Sequence, residues 1–442
     1  MKFTRVFAFM ALAGLAGSAF ATNGYFSHGY GMKAKGKAGV STAVTGDTFG
    51  GANNPATMAY AGNQLELGVD LFSPIREYSR TGSAGGAGYF DGDVESDSNY
   101  FLVPEFGYNH MVNNDLALGV TVYGNGGMNT DYPSGQTDLG MCAGGAPSGQ
   151  AGNMLCGMGS LGVDLVQLIV APTAAYKIAP NHSIGISPLI GYQRFKAEGL
   201  QAFSALSLDP ANLSNNGYDD SFGFGVRVGY YGKVAPTVSI GAAYASKMNF
   251  DSFDEYSGLF AQQGSFDIPE NYNFGVAWQA TPQLMLGVDY QRINYSGVNS
   301  VSNTSQPPAC MPVPPYGPAM GDQCLGGSNG IGFGWSDVNV YKFGAEYKYN
   351  QNWLLRAGYS HNDNPISSSD VTFNSIAPAV ITDHVTLGFT YTVASGDELT
   401  MSYMHGFKND VTGPVNMYFP VGGTDKIQMY QNALGVAYSW KM

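Results

Sequence analysis

Few residues in this chain of 442 are spaced for chemistry. Its cysteines form two local pairs, Cys142/Cys156 and Cys310/Cys324, each with thirteen residues between. Neither has the Cys-x-x-Cys spacing of a zinc site. In an exported chain, even local pairs read as disulfides in outer loops, each closing about 15 residues and worth roughly 3 kcal/mol by chain entropy. The six histidines (His28, His110, His182, His361, His384 and His405) lie far apart without ligand spacing, so no metal is expected. No Gly-x-Ser-x-Gly elbow accompanies the serines and acids. Gly223-Phe224-Gly225 lies within alternating sequence rather than before a helix, unlike a dinucleotide loop. The reading is a non-enzyme without a cofactor. Three lysines remain, Lys33, Lys35 and Lys37, alternating with small residues. Glu66, Asp70 and Glu105 are their natural partners; the alternative is three solvated lysines.

Those lysines belong to Thr22–Gly62, a stretch rich in glycine and alanine that closes on Asn54-Pro55-Ala56. It sustains no apolar period of 2 or 3.6 and cannot bury enough surface to fold alone. Residues 22–62 therefore read as a small plug, and 63–442 as the barrel around it. Residues 1–21 read as a secretory signal: Lys2 and Arg5, the apolar run Val6–Leu15, then Ala19-Phe20-Ala21. Its removal would leave 18 basic against 33 acidic residues, a net charge of −15. Such a charge argues against a nucleic-acid partner.

No other apolar run is long enough for a membrane helix. Yet the chain holds 54 Tyr or Phe and 61 Gly, and only 12% of it is charged, about half the share in soluble domains. That composition fits an outer-membrane barrel with one face towards lipid. The runner-up is a secreted β-solenoid or sandwich. Parity supports the barrel: Leu65, Leu67, Val69 and Leu71 oppose Glu66, Gly68 and Asp70, and Phe222, Phe224, Val226 and Val228 oppose Gly223, Gly225 and Arg227. Fourteen strands are expected near 63–79, 97–112, 115–126, 163–178, 183–198, 219–234, 237–250, 266–280, 283–296, 336–349, 352–362, 380–394, 397–408 and 425–442. Short polar turns such as Asn113-Asn114-Asp115 alternate with long loops, roughly 125–162, 199–218, 251–265, 297–335, 363–379 and 408–424. An even number closes with every strand antiparallel, leaving no lipid-facing edge unpaired. The fold class is all-β, a 14-stranded antiparallel transmembrane β-barrel with an N-terminal plug, as a monomer among outer-membrane lipid (or detergent).

Several stretches, in order, resemble the FadL family of outer-membrane transporters for long-chain fatty acids and other hydrophobic compounds. Gly29-Tyr30-Gly31-Met32 and Asn54-Pro55-Ala56 resemble its hatch. Trp353–Gly358, Asp363-Asn364-Pro365 and Ser402–Gly406 resemble later regions of fatty-acid members. The resemblance implies capture of a fatty acid or hydrocarbon in outer loops, an apolar lumen pocket, and sideways exit through a kinked third strand. It implies Tyr25, Phe26, Arg194, Phe195 and Lys196 as ligand contacts. Asn54, Pro55, Ala56 and the three lysines would form the gate. Gly124-Asn125-Gly126-Gly127 is where the third strand would bend, since glycines within a strand mark bulges; the alternative is a loop beginning beyond an unkinked strand. Fatty-acid members carry a basic residue before the Asp that opens the tenth strand. Here that position is Ser336, so half of the charge pairing for a carboxylate is missing and neutral hydrocarbons stay open. The competing classes are a barrel enzyme and a structural or adhesin barrel.

Overall fold

The computed structural model describes residues 22–142, 149–306, 309–311, 319–416 and 421–442. The expected signal segment 1–21 lies outside them. Fourteen long strands form the wall. They are β1 (Gln64–Thr81), β2 (Phe101–Met111), β3 (Leu116–Tyr132), β4 (Leu161–Ala179), β5 (His182–Glu198), β6 (Asp219–Ala235) and β7 (Val238–Ala245). The second half is β8 (Asn271–Gln279), β9 (Leu284–Ile293), β10 (Val338–Lys348), β11 (Trp353–Asn362), β12 (Asp383–Thr392), β13 (Glu398–Pro414) and β14 (Thr424–Lys441). Each pairs antiparallel with its neighbour in sequence, and β14 returns to β1 from Gln64↔Lys441 to Thr81↔Thr424. The ring is closed, so its lipid-facing backbone has no free edge.

Side-chain parity runs opposite to that of a soluble sandwich. Phe224 is 65% and Leu102 55% exposed, whereas Glu66 is fully buried and Asp70 2% exposed. Water on the outside would leave a continuous apolar band uncovered; only lipid there makes the pattern favourable. Trp278, Trp353 and Trp440 sit on the outer face beside the short turns, where amphipathic rings gather at a membrane interface.

Among the boundaries that differ from the sequence reading, three bear on the lumen and its wall. β3 runs through the glycines to Tyr132, so the first of the long loops does not begin at 125. The seventh strand stops at Ala245, and Asn249–Phe250 turns back to pair with β6. The Phe250 ring lies over Gly223 and Gly191, where side chains would block it. Third, β8 begins at Asn271 because Phe266 and Ile268 turn into the core.

Residues 22–62 fill the lumen, with only a four-residue helix, α1 (Met32–Lys35), and a 3-10 turn, Pro55–Tyr60. Asn54 caps that turn by accepting from the Ala56 N–H (3.1 Å), while its Nδ2 donates to Thr42 O and Tyr230 O, both at 2.8 Å. One side chain thus caps the turn, ties the plug to itself and ties it to β6. Gly229 permits the approach: a Cβ there would lie 2.0 Å from Asn54 Oδ1. Pro55 follows at the first position of the turn, and Ala56 O accepts from Ser183 Oγ on β5 at 2.8 Å.

Both disulfides form as the spacing implied. Cys142–Cys156 lies in the β3–β4 loop and Cys310–Cys324 in the β9–β10 loop, with Cα separations of 5.9 and 4.7 Å.

Candidate functional site

Between β2 and β3 the wall carries a framed break. β2 pairs with β3 from Met111↔Ala117 to Phe106↔Val122 and no further. Beyond that point β2 continues to Phe101 on the β1 side, and β3 continues to Tyr132 on the β4 side. Asn125 is the extra residue: Gly124 pairs with Leu168 and Gly126 with Gln167, so β3 bulges there. Above the break the frame closes again, the Asp97 N–H donating to Asp131 O at 2.8 Å. Arg76 secures this upper rim by donating to Ser96 Oγ (2.8 Å), Ser98 O (2.5 Å) and Asn129 Oδ1 (3.4 Å). The result is a window between residues 101–105 and 123–130.

The start of the plug covers the window from inside. Phe26 bridges Gly126, Gly127 N–H donates to Tyr25 O (3.2 Å), and Ser27 N–H donates to Asn125 O (3.2 Å). The Tyr30 hydroxyl also donates to Asn125 O at 2.8 Å. A Cβ on Gly126 would lie 1.7 Å from Tyr25 O, so glycine is what allows the contact. Asn125 Nδ2 donates to Gln167 Oε1 (3.1 Å), Gln167 Nε2 to Gln193 Oε1 (3.2 Å), and Gln193 Nε2 to Phe266 O (2.8 Å). This amide relay fixes the bulge to β4, β5 and a loop turned into the lumen.

Over the covering segment stands an aromatic cluster. Tyr25 lies 5.2 Å from Tyr295 and 5.9 Å from both Phe266 and Trp335, between ring centroids. Phe195 joins it through Phe260, whose ring packs tilted against Phe266. Tyr25 N–H donates to the Tyr295 hydroxyl (3.1 Å), which donates to Asn23 O (2.6 Å). Burial pushes both phenols well above their ordinary range, so they remain protonated.

Beneath it, buried ion pairs hold the plug. Lys35 meets Asp70 at 3.0 Å and Glu105 at 3.3 Å; Lys33 meets Glu398 at 2.6 Å; Lys37 meets Glu346 at 2.5 Å, beside Arg356 at 3.0 Å. Glu66 accepts from Ser439 Oγ (2.6 Å) instead of pairing with a lysine directly. Asp289 Oδ2 accepts from Ser41 N–H, Thr42 N–H and the Thr42 hydroxyl at 2.8–2.9 Å. Burial alone would lower the Lys35 value, but Asp70 and Glu105 outweigh it and leave it raised. A raised folded value means its contribution is complete below the ordinary lysine range, roughly 10.4, and is lost as pH rises through the folded value. Lys35→Met is expected to weaken plug docking by about 3–5 kcal/mol, because two buried carboxylates lose their counter-charge. Protease cleavage of the plug in assembled barrels should rise accordingly, and Asp70→Asn with Glu105→Gln should restore protection. Unchanged cleavage in Lys35→Met would refute the role.

Arg194 and Lys196 need correction as ligand contacts. They alternate with Phe195 and share the outer face of β5 with Ile186 and Ile190. Arg194 lies 4.1 Å above the Tyr218 ring, and Lys196 pairs with Glu198 at 3.0 Å. Strand parity, period 2, turns their side chains away from the lumen; Phe195 alone of the three points in. Sequence reasoning missed Tyr295, Trp335, Asp289, Glu346 and Glu398. Pro104 was a readable signal for the window: it lies in the part of β2 that β3 leaves, and proline in a strand marks an unpaired edge.

The fold has parallels among solved structures. The fold matches the P. putida toluene transporter TodX (18% identity, TM-score 0.67), a Pseudomonas aeruginosa FadL homologue (15%, 0.69) and the Ralstonia pickettii toluene transporter TbuX (17%, 0.61). Each match covers 94% of this chain and 99% of the other. No curated protein sequence matches the chain. Residues 8–416 match the family described as outer membrane protein transport protein (OMPP1/FadL/TodX). With a closed fourteen-stranded wall, apolar outside and plugged within, the chain belongs to this family of outer-membrane transporters for hydrophobic compounds.

Proposed function

We propose that the chain carries hydrophobic compounds, long-chain fatty acids foremost, from outside the cell into the outer membrane through the β2–β3 window. Ligand would be captured among the outer loops, pass into the aromatic lumen beside Tyr25, Phe26 and Phe195, and leave sideways once the Tyr25–Phe26 segment moves off Gly126. The carrying observation is the window itself, framed above and below and covered by a few non-covalent contacts of the plug. The lysines and Asn54-Pro55-Ala56 would hold the rest of the plug still while its first residues move. An apolar molecule gains roughly 0.8 kcal/mol per CH₂ on leaving water, so a dry sideways path suits it better than an aqueous pore.

A second reading, uptake of neutral hydrocarbons, is favoured by the outward turn of Arg194 and Lys196, which leaves the aromatic cluster without them. Two structures with this fold are toluene transporters by description. The test is uptake of a radiolabelled C16 fatty acid and of toluene by cells with and without the protein, at matched surface abundance. Saturable uptake of either supports the transport reading, and the larger enhancement identifies the class. No enhancement of either refutes it and leaves a structural or adhesin barrel.

A further inference from the structure

The outer face of β5 carries a motif that the lumen does not use. Its outward residues, taken from the short turn upwards, are Ile184, Ile186, Pro188, Ile190, Tyr192, Arg194, Lys196 and Glu198. From Ile184 to Tyr192 is about 26 Å of strand. A tilt near 40° leaves about 20 Å of height, most of the apolar band that an outer-membrane barrel turns to lipid. Phe222 and Phe224, exposed on β6, continue the band beside it. Arg194 and Lys196 are therefore the first charges above the hydrocarbon on this strand, at the level of the outer-leaflet head groups.

The two cations are gathered rather than spread. Arg194 Cζ lies 4.1 Å and Lys196 Nζ 5.4 Å from the centre of one ring, that of Tyr218, whose hydroxyl donates to Asp164 at 2.7 Å. A ring pinned in this way attracts each cation, yet it collects two like charges where they repel. The nearby acids do not settle both. Lys196 shares Glu198 at 3.0 Å, whereas Arg194 has no hydrogen bond and no ion pair among the described residues. Asp220 faces Arg194 across the β5–β6 register but takes the Tyr192 hydroxyl at 2.7 Å, and its oxygens stay beyond ion-pair reach of the guanidinium. Arg292, at the outer end of β9, shows the usual arrangement instead: its guanidinium is spent on Asp337, Asn339 and Asn294.

We propose that Arg194 and Lys196 seat the phosphate of a phosphorylated lipid of the outer leaflet, whose acyl chains lie along Ile190, Ile186, Phe222 and Phe224. An apolar wall capped by a guanidinium and an ammonium fits that partner. Phosphate takes the planar fork bidentately and the ammonium as a point charge, and basic clusters at the edge of a membrane recognise charged head groups. The flanking acids, Asp164, Glu198 and Asp220, repel an anion and so confine the phosphate to the space over the two cations. The seat is independent of which ligand the lumen carries. Gly127 pairs with Val166, and Val166 with Arg194, so seat and window share one level, two strands or about 10 Å apart. A lipid fixed there forms part of the surface beside the window.

The test measures binding of bisphosphorylated lipid A, and of the same lipid stripped of both phosphates, to the purified full-length protein in detergent by native mass spectrometry. The native protein is expected to prefer the phosphorylated form at least about tenfold, the scale of a charge-assisted hydrogen bond. Arg194→Gln with Lys196→Gln should remove that preference while the stripped lipid binds within about twofold of native. Arg194→Lys with Lys196→Arg should keep it, and Lys426→Gln, a charge lost from the outer face of β14, should leave it unchanged. A heat-induced shift in gel mobility checks assembly; should the double variant fail it, Arg194→Gln alone is expected to lower the preference about threefold. Preserved preference in the assembled variant, or none in the native protein, overturns the proposal. So does a preference that EDTA abolishes in native and variant alike, because the phosphate would then sit on metal ions held by the acids. Ready displacement of the lipid by inorganic phosphate would make the seat one for a free anion and overturn the lipid assignment.

Discussion

Deletion of Asn125 is expected to cut uptake of hydrophobic substrate about thirtyfold while the barrel still assembles. The bulge exists because β3 holds one residue more than β4 can pair between Leu168 and Gln167. Removing it joins Gly124 to Gly126 and makes the ladder continuous without shifting the register on either side. β3 can then follow β2 past Phe106↔Val122 and close over residues 101–105. Pro104 supplies no N–H, so closure regains only some of the ladder. Two regained bonds at about 1 kcal/mol each raise the cost of opening by about 2 kcal/mol, which is about thirtyfold in rate. Deletion is a better test than Gly126→Val, because a side chain at Gly126 strikes Tyr25 and displaces the cover itself. Uptake per surface-exposed barrel is the measurement, with the heat-induced shift in gel mobility as the control for assembly. Native rates in the deletion variant would mean that substrate does not leave through the window.

Removing residues 22–61 behind an intact export signal should turn a closed barrel into an open pore, with ion conductance in planar bilayers rising at least about tenfold. The plug contributes to the sheet only through the bridge of Phe26 to Gly126, so all fourteen strands keep their partners without it. The acids it pairs or hydrogen-bonds with, Asp70, Glu105, Asp289, Glu346 and Glu398, line the lumen and would become hydrated rather than buried alone. Their loss of partners is then nearly harmless, in contrast to Lys35→Met, where the plug remains and water stays out. The exposed ring of carboxylates should make the pore cation-selective. Failure of the truncated chain to assemble, under conditions where the full chain does, would show that plug and wall are not separable.

The chain sequence by itself determined the wall and its topology. Alternation such as Leu65/Glu66/Leu67 needs only the period of an extended strand, and the thirteen-residue spacing of each cysteine pair keeps its bridge within one loop. Asn54-Pro55-Ala56 was likewise readable, since an asparagine before proline caps a turn through its side-chain oxygen. Parity also held the answer for Arg194 and Lys196, which have the same even numbering as Ile186 and Ile190; the resemblance in residue type pointed inward where the period points outward. What only the tertiary structure decided is which distant groups meet in the lumen. Lys33 finds Glu398, Lys37 finds Glu346 and Tyr25 finds Tyr295 across 365, 309 and 270 positions of sequence. Nothing local encodes those meetings. They follow from the closure of fourteen strands into a ring, which brings inward side chains from every strand to one axis.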